Sequence, residues 1–123
     1  MQSKFMLAGA LAGFVGVAFG AFGAHGLRGR LSPDMLAVFE TGVRYQMYHA
    51  LALMLTAALM MTGRIESGRA VAAAGWLFVA GIVLFSGSLY LLAVTGVTVL
   101  GAITPIGGVA FLVGWACLAI ATL

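Results

Sequence analysis

The sequence predicts an all-α integral membrane protein. It would be a bundle of four transmembrane helices, with a short amphipathic segment at the interface before the second span. Three observations carry that prediction. Hydrophobic residues make up 63% of the 123 and charged residues only 7%, with a mean hydropathy of +1.17. A soluble domain carries roughly 25% charged residues, so this chain cannot clothe a water-facing surface. Long charge-poor runs are separated by short polar or turn-forming stretches. Glycine, commoner in membrane helices than in soluble ones, occurs 18 times.

Residues 5–24 carry no charge and match the roughly 20 residues that a bilayer-spanning helix needs. Lys4 and the closing Ala-Phe-Gly-Ala also suit a signal peptide, but the apolar stretch exceeds a typical signal core. A retained first helix is the expectation. Gly9, Gly13, Gly16, Gly20 and Gly23 alternate steps of four and three, which puts them on one face. Leu7, Leu11, Phe14 and Phe22 fall on the other. Helices in lipid associate through close backbone approach along small residues, so the glycines mark the packing face.

Residues 25–32, with Arg28 and Arg30, form a polar connection. Ser32-Pro33-Asp34 then reads as a helix start: serine as cap, proline in the first turn, an acid beside the helix N-terminus. The helical pattern runs on to Thr62, interrupted only by Gly42. At about 1.5 Å per residue that length exceeds the roughly 30 Å hydrocarbon core. The excess belongs at the front: residues 33–41 are assigned to the interface and residues 42–62 to the second span. Residues 63–69 form a short polar loop. The third span covers residues 70–93, with Trp76 and Tyr90 towards its ends, where amphipathic rings prefer to sit. After an uncharged turn, Thr104-Pro105 repeats the cap-then-proline signature, and residues 103–122 make the fourth span. One transmembrane domain accounts for residues 1–123.

Small or polar residues recur every seven positions along the later spans. Gly42, His49 and Thr56 mark the second. Ala73, Ala80 and Gly87, shadowed by Ala74, Gly81 and Ser88, mark the third. Gly107, Gly114 and Ala121 mark the fourth. Such seams argue for a tight left-handed bundle crossing at about +20°. Helix parity puts Lys4, Arg64 and Arg69 on one side and Arg28 and Arg30 on the other, with Arg44 near it; the positive-inside rule leans weakly towards cytoplasmic termini, and the charge-free third connection fits a translocated loop.

Polar chemistry is concentrated between Phe39 and Ala50. His49 falls on the seam at a depth of about 10 Å. An ionisable group there is a functional candidate by default, although an interhelical hydrogen bond is the commoner use. Tyr45 and Gln46 flank the seam and should point inward with it, with Ser86, Ser88 and Tyr90 as plausible partners. Glu40 and Arg44 fall on the opposite face, spaced for an interfacial ion pair with Arg44 reaching to headgroups. His25 ends the first span and would sit near Arg44 at the same membrane face if the first two helices are neighbours. A metal site would need His25, His49 and a carboxylate to converge, and no ligand spacing supports one. No nucleophile elbow or phosphate loop is present, so neither a catalytic residue nor a cofactor is expected. The six basic residues form no stripe, which argues against a nucleic-acid partner. Cys117 stands alone in an apolar run, where it packs as a small side chain.

The chain resembles a known family at four places. These are Gly-Ala-Phe-Gly-Ala-His-Gly-Leu27, Phe39-x-Thr-Gly-Val-x-Tyr-Gln-x-Tyr-His-Ala50, Leu84-Phe-Ser-Gly-Ser-Leu-Tyr90 and Gly101-x-Ile-Thr-Pro-Ile-Gly-Gly108. The segments are similar to those of the YgdD/YwdK-like small inner-membrane proteins, filed under a domain of unknown function. The resemblance implies a bacterial inner-membrane protein of four spans, and carries no assigned activity or catalytic residue.

Two functional readings are open. In the first, the protein is non-enzymatic and acts through helix packing as an accessory or structural component. Its partners would be the bilayer and either a second copy or another membrane protein. In the second, Tyr45, Gln46 and His49 form the polar path of a small transporter or channel. Small multidrug exporters carry a carboxylate in their first helix, and residues 1–24 contain none. A lipid- or quinone-directed enzyme has only the His and Tyr residues in its favour.

Overall fold

The computed structural model describes residues 1–63 and 68–123. Among them the chain forms four helices and no strand. They are α1 (Gln2–His25), α2 (Pro33–Thr62), α3 (Arg69–Thr95) and α4 (Thr104–Ala121). A 3-10 turn, Thr98–Ala102, leads into α4. Arg64 and most of the polar loop expected at residues 63–69 lie outside the described residues.

The start of α2 follows from its sequence. The Ser32 hydroxyl accepts the Met35 N–H at 3.2 Å, and Pro33 occupies a position where its missing N–H costs nothing. Residues 33–41 are the first turns of this same helix, with no break at Gly42. The second cap-then-proline signature behaves differently. Thr104 is already helical and makes no cap, because its hydroxyl is turned to Ser88 on α3 at 2.6 Å. α3 ends at Gly96, whose φ of +72° closes the helix in a conformation that glycine adopts without steric cost.

α1, α3 and the stretch Thr98–Ala121 are long and apolar enough to cross a membrane. α2 is longer than any of them, but Tyr45, Gln46, Tyr48 and His49 dilute its apolar character. Yet α2 is buried as extensively as the more apolar α3. Its inward line runs Phe39, Gly42, Gln46, His49, Ala50, Leu53, Thr56 and Ala57, against only Phe5, Gly9, Gly16 and Gly23 on α1. The polar helix is one of the two interior ones.

Two antiparallel pairs, α1 with α2 and α3 with α4, meet where α2 packs on α3. Glycine sets the approach in both pairs. A Cβ on Gly9 would fall 2.8 Å from the Ala50 carbonyl oxygen, and one on Gly23 would fall 3.0 Å from the Phe39 ring. A Cβ on Gly81 would strike the Phe111 ring, and one on Gly107 the Phe85 backbone. Gly114 seats Phe78 in the same way, and Gly42 seats Tyr90. Gly20 only touches Val43 at 3.4 Å. Gly13 and Gly87, expected on the packing face, have nothing within 4 Å of a would-be Cβ. Gly13 instead lines a groove between α1 and Met47, Ala50 and Met54 of α2. Leu7, Leu11, Phe14 and Phe22 are exposed on the far face of α1.

α3 contains a π-helical turn, Ile82–Ser86. Before it, Val71, Ala74, Gly75, Phe78 and Gly81 are buried at helical spacing. After it the buried line resumes at Ser86, five positions on from Gly81. The extra residue of a π turn rotates the C-terminal half of the helix about its axis. It lets one helix turn Gly81 and Phe78 towards α4 and Ser86 and Tyr90 towards α2. The buried series is therefore Ala74, Gly81 and Ser88, while Ala73, Ala80 and Gly87 lie half-buried.

Two apolar clusters result. The larger joins Phe5, Ala52, Leu53, Ala57, Ala74, Phe78, Phe111 and Leu118 from all four helices. The smaller joins Leu27, Phe39 and Ala93 near the connection between α1 and α2.

Candidate functional site

Gln46 and His49, buried on α2 one helical turn apart, reach different neighbours. Gln46 donates from Nε2 to the Ala12 carbonyl of α1 at 2.8 Å. Its Oε1 accepts the Tyr90 hydroxyl of α3 at 2.6 Å. One amide thus clips three helices together. Tyr90, expected at the membrane interface, instead points inward over Gly42 and packs against Phe19 and Phe39, with ring centroids 5.0 Å away in each case. Gly42 contributes its carbonyl, which accepts the Ser86 hydroxyl at 2.7 Å. Ser86 comes from the π turn, so the irregularity in α3 is what delivers this bond.

His49 reaches the fourth helix. Its Nε2 lies 3.0 Å from the indole Nε1 of Trp115, and its Nδ1 lies 2.7 Å from the Tyr45 carbonyl. An indole N–H can only donate and a carbonyl can only accept. The partners therefore assign the tautomer: Nε2 is the bare acceptor and Nδ1 carries the proton. Phe111 lies flat on the ring, with centroids 3.5 Å apart and planes 8° from parallel, and Phe78 and Trp115 close the other sides. Neither nitrogen is free to take a proton from a substrate unless the bond to Trp115 opens. The hydroxyls follow the same rule. Thr56 is spent on the Ala52 carbonyl at 2.8 Å, and Ser88 on Thr104. Among the described residues, no buried side-chain nitrogen or oxygen lacks a partner.

The site thus corrects four expectations. Tyr45 does not point inward with Gln46 and His49: it is 37% exposed where each of them is 4% exposed. Ser86, Ser88 and Tyr90 are not partners of His49; they bond Gly42, Thr104 and Gln46. Glu40 and Arg44 face outward, but they make no salt bridge with each other. His25 does not approach Arg44 or His49. With Gly23 opposite Phe39, His25 sits about 18 Å along the axis from His49, exposed and, among the described residues, without a hydrogen bond or ring contact.

Trp115, Phe111 and the Ala12 carbonyl escaped the sequence reading. Trp115 gave one usable signal: it stands in mid-span rather than at an end, and an indole N–H held away from water must find an acceptor. Two clefts flank the latch on the outer surface. One, of about 420 Å3, is walled by Tyr45, Phe85, Pro105, Leu112 and Trp115, with His49 at its base. The other, of about 310 Å3, lies between Phe19, Gly20 and Gly23 of α1 and Phe39, Glu40, Val43 and Arg44 of α2.

Comparison with known proteins agrees with this picture. The family model described as "Protein of unknown function (DUF423)" matches residues 19–108, which include Gln46, His49, Ser86 and Tyr90. The UPF0382 membrane protein YwdK of Bacillus subtilis is 50% identical over 117 residues, covering 95% of this chain and 94% of the relative. A UPF0382 membrane protein of Staphylococcus aureus is 52% identical over 118 residues, 96% of this chain and 93% of its own. One from Staphylococcus epidermidis is 52% identical over 119 residues, with 97% and 94% covered. No solved structure matches. With half its residues shared along nearly its whole length, and an all-helical fold rich in apolar spans, the chain belongs to the DUF423 family of UPF0382 membrane proteins.

Proposed function

We propose that the chain is a four-span protein of the bacterial inner membrane that catalyses no reaction and acts as an accessory or structural component through its packed helices. One observation carries this reading. Both ends of the Gln46 amide and both ring nitrogens of His49 are engaged by other groups of the same chain. In lipid, polar groups must be satisfied internally, and here they are spent on holding helices together. That also supports α2 as the second of four spans. Its polar residues cost little in the bilayer when α1, α3 and α4 cover them. The charge-free connection after α3, on the side opposite the termini by helix parity, suits a translocated loop and supports cytoplasmic termini. The exposed apolar faces suit lipid and a membrane partner, either a second copy or another protein.

A polar path through Tyr45, Gln46 and His49 has the same bonds against it, since Tyr45 turns outward and the other two are occupied. Flux in sealed vesicles decides between the readings. Vesicles with the purified chain should pass protons and small solutes no faster than lipid alone. A flux that His49→Ala abolishes would overturn the packing role.

A further inference from the structure

Glu40 and Arg44 stand one turn apart on the outer face of α2 and line one cleft, yet they do not pair with each other. At this spacing, acid before base, a helix normally permits an ion pair. Both are exposed, so each charge is open to an outside partner. The cleft they share has apolar walls from Phe19 and Val43 and a floor opened by Gly20 and Gly23. It lies near the end of the α1–α2 pair, beside the Arg28 and Arg30 connection, where a membrane-embedded bundle meets the headgroups. A cleft with one fixed anion, one fixed cation and an apolar trough is complementary to a group carrying the opposite charges at similar separation.

We propose that this cleft binds a zwitterionic phospholipid of the phosphatidylethanolamine class. The phosphate sits on Arg44, the primary ammonium on Glu40, and an acyl chain runs along Gly20 and Val43. Arginine presents a fork of N–H donors matched to phosphate oxygens, and a carboxylate accepts N–H bonds from an ammonium. The two-carbon ethanolamine link separates these charges by a distance of the order of one helical turn, about 5.4 Å. An anionic phosphatidylglycerol would satisfy Arg44 but leave its phosphate near Glu40 without a cation to offset the repulsion. The pairing thus selects by headgroup and not by charge alone. It rests on the bundle being embedded in the bilayer with Glu40 at headgroup depth.

Native mass spectrometry after release from bilayers of equal phosphatidylethanolamine and phosphatidylglycerol tests the pairing. Exposed charge pairs contribute about 0.2–1 kcal/mol, so the retained lipid should favour phosphatidylethanolamine by roughly 1.4- to fivefold. Glu40→Gln should bring the ratio to that of the bulk lipid, and Arg44→Gln should lower retention of both lipids. Wild-type retention at the bulk ratio would overturn the site, as would a preference that survives Glu40→Gln. Labelling single cysteines from either side of the same bilayers reports the four-span arrangement separately. A correct topology with no lipid preference therefore rejects the site alone.

Discussion

Trp115 on α4 donates its indole N–H to Nε2 of His49 on α2 at 3.0 Å, while Phe111, one turn earlier, lies flat on the same imidazole. This relationship fixes which nitrogen carries the proton and closes the ring on both sides. It also makes His49 a structural neighbour of α4, although the two helices are not adjacent in sequence. Gln46 does the corresponding task towards α1 and α3. Between them, two side chains one turn apart tie α2 to every other helix.

The bond between His49 and Trp115 should show as a coupling. Trp115→Phe leaves Nε2 without a donor, and His49→Leu leaves the indole without an acceptor. Reversible unfolding in bicelles should show the double variant losing less than the sum of the two. The expected coupling is about 0.6–1.7 kcal/mol, the range found for interhelical hydrogen bonds in membranes. Strict additivity would mean that the contact contributes nothing.

Gln46→Leu should cost more than Tyr90→Phe. The first removes a bond to α1 and strands the Tyr90 hydroxyl beneath Phe19 and Phe39, a penalty of about 1–3 kcal/mol. The second leaves Gln46 bonded to Ala12. Adding Tyr90→Phe to Gln46→Leu should recover part of the loss, because the stranded hydroxyl is then gone. The same unfolding assay measures both, and an equal cost for the two single variants would contradict the three-helix clip.

Much of this fold was legible in the sequence. The packing of Gly9, Gly16, Gly20 and Gly23 on α2, the Ser32-Pro33 helix start and the inward phase of Gln46 and His49 all follow from spacing, because a helix converts spacing directly into direction. Other features were not. The π turn moves Ser86 and Tyr90 around α3, and no periodicity announces a single inserted residue. Tyr45 shares the polar stretch with Gln46 but lies about 100° away on a helix of 3.6 residues per turn. That difference is enough to put its ring outside. Partner choice was the least legible feature, since His49 could be matched to Trp115 only once four helices stood in place.

The glycines separate into two kinds that substitution should distinguish. Gly107→Ala and Gly81→Ala insert a methyl where the Phe85 backbone and the Phe111 ring already sit. Each should destabilise by about 1–3 kcal/mol. Gly13→Ala and Gly87→Ala meet open space in a helical backbone. They should be neutral or stabilising by about 0.4–1 kcal/mol. Thermal unfolding in one detergent would rank all four, and a loss at Gly13 equal to that at Gly107 would place an unseen neighbour on the α1 groove.

Topology is open to direct labelling. In a Cys117→Ala background, Ser3→Cys and Thr122→Cys should resist a membrane-impermeant maleimide in intact cells, while Arg30→Cys and Thr98→Cys should react. Labelling of Ser3→Cys and Arg30→Cys from the same side would exclude α1 as a span. A complete reversal would keep four spans and invert the orientation.

The measurement closest to the centre is the 15N spectrum of His49 in lipid bilayers. A latch requires a neutral ring with a protonated Nδ1, a bare Nε2 correlated with the Trp115 indole proton, and slow exchange with deuterated water. A ring protonated on Nε2, or one whose proton exchanges freely with water, would mean that His49 faces a wet path and that the packed latch is wrong.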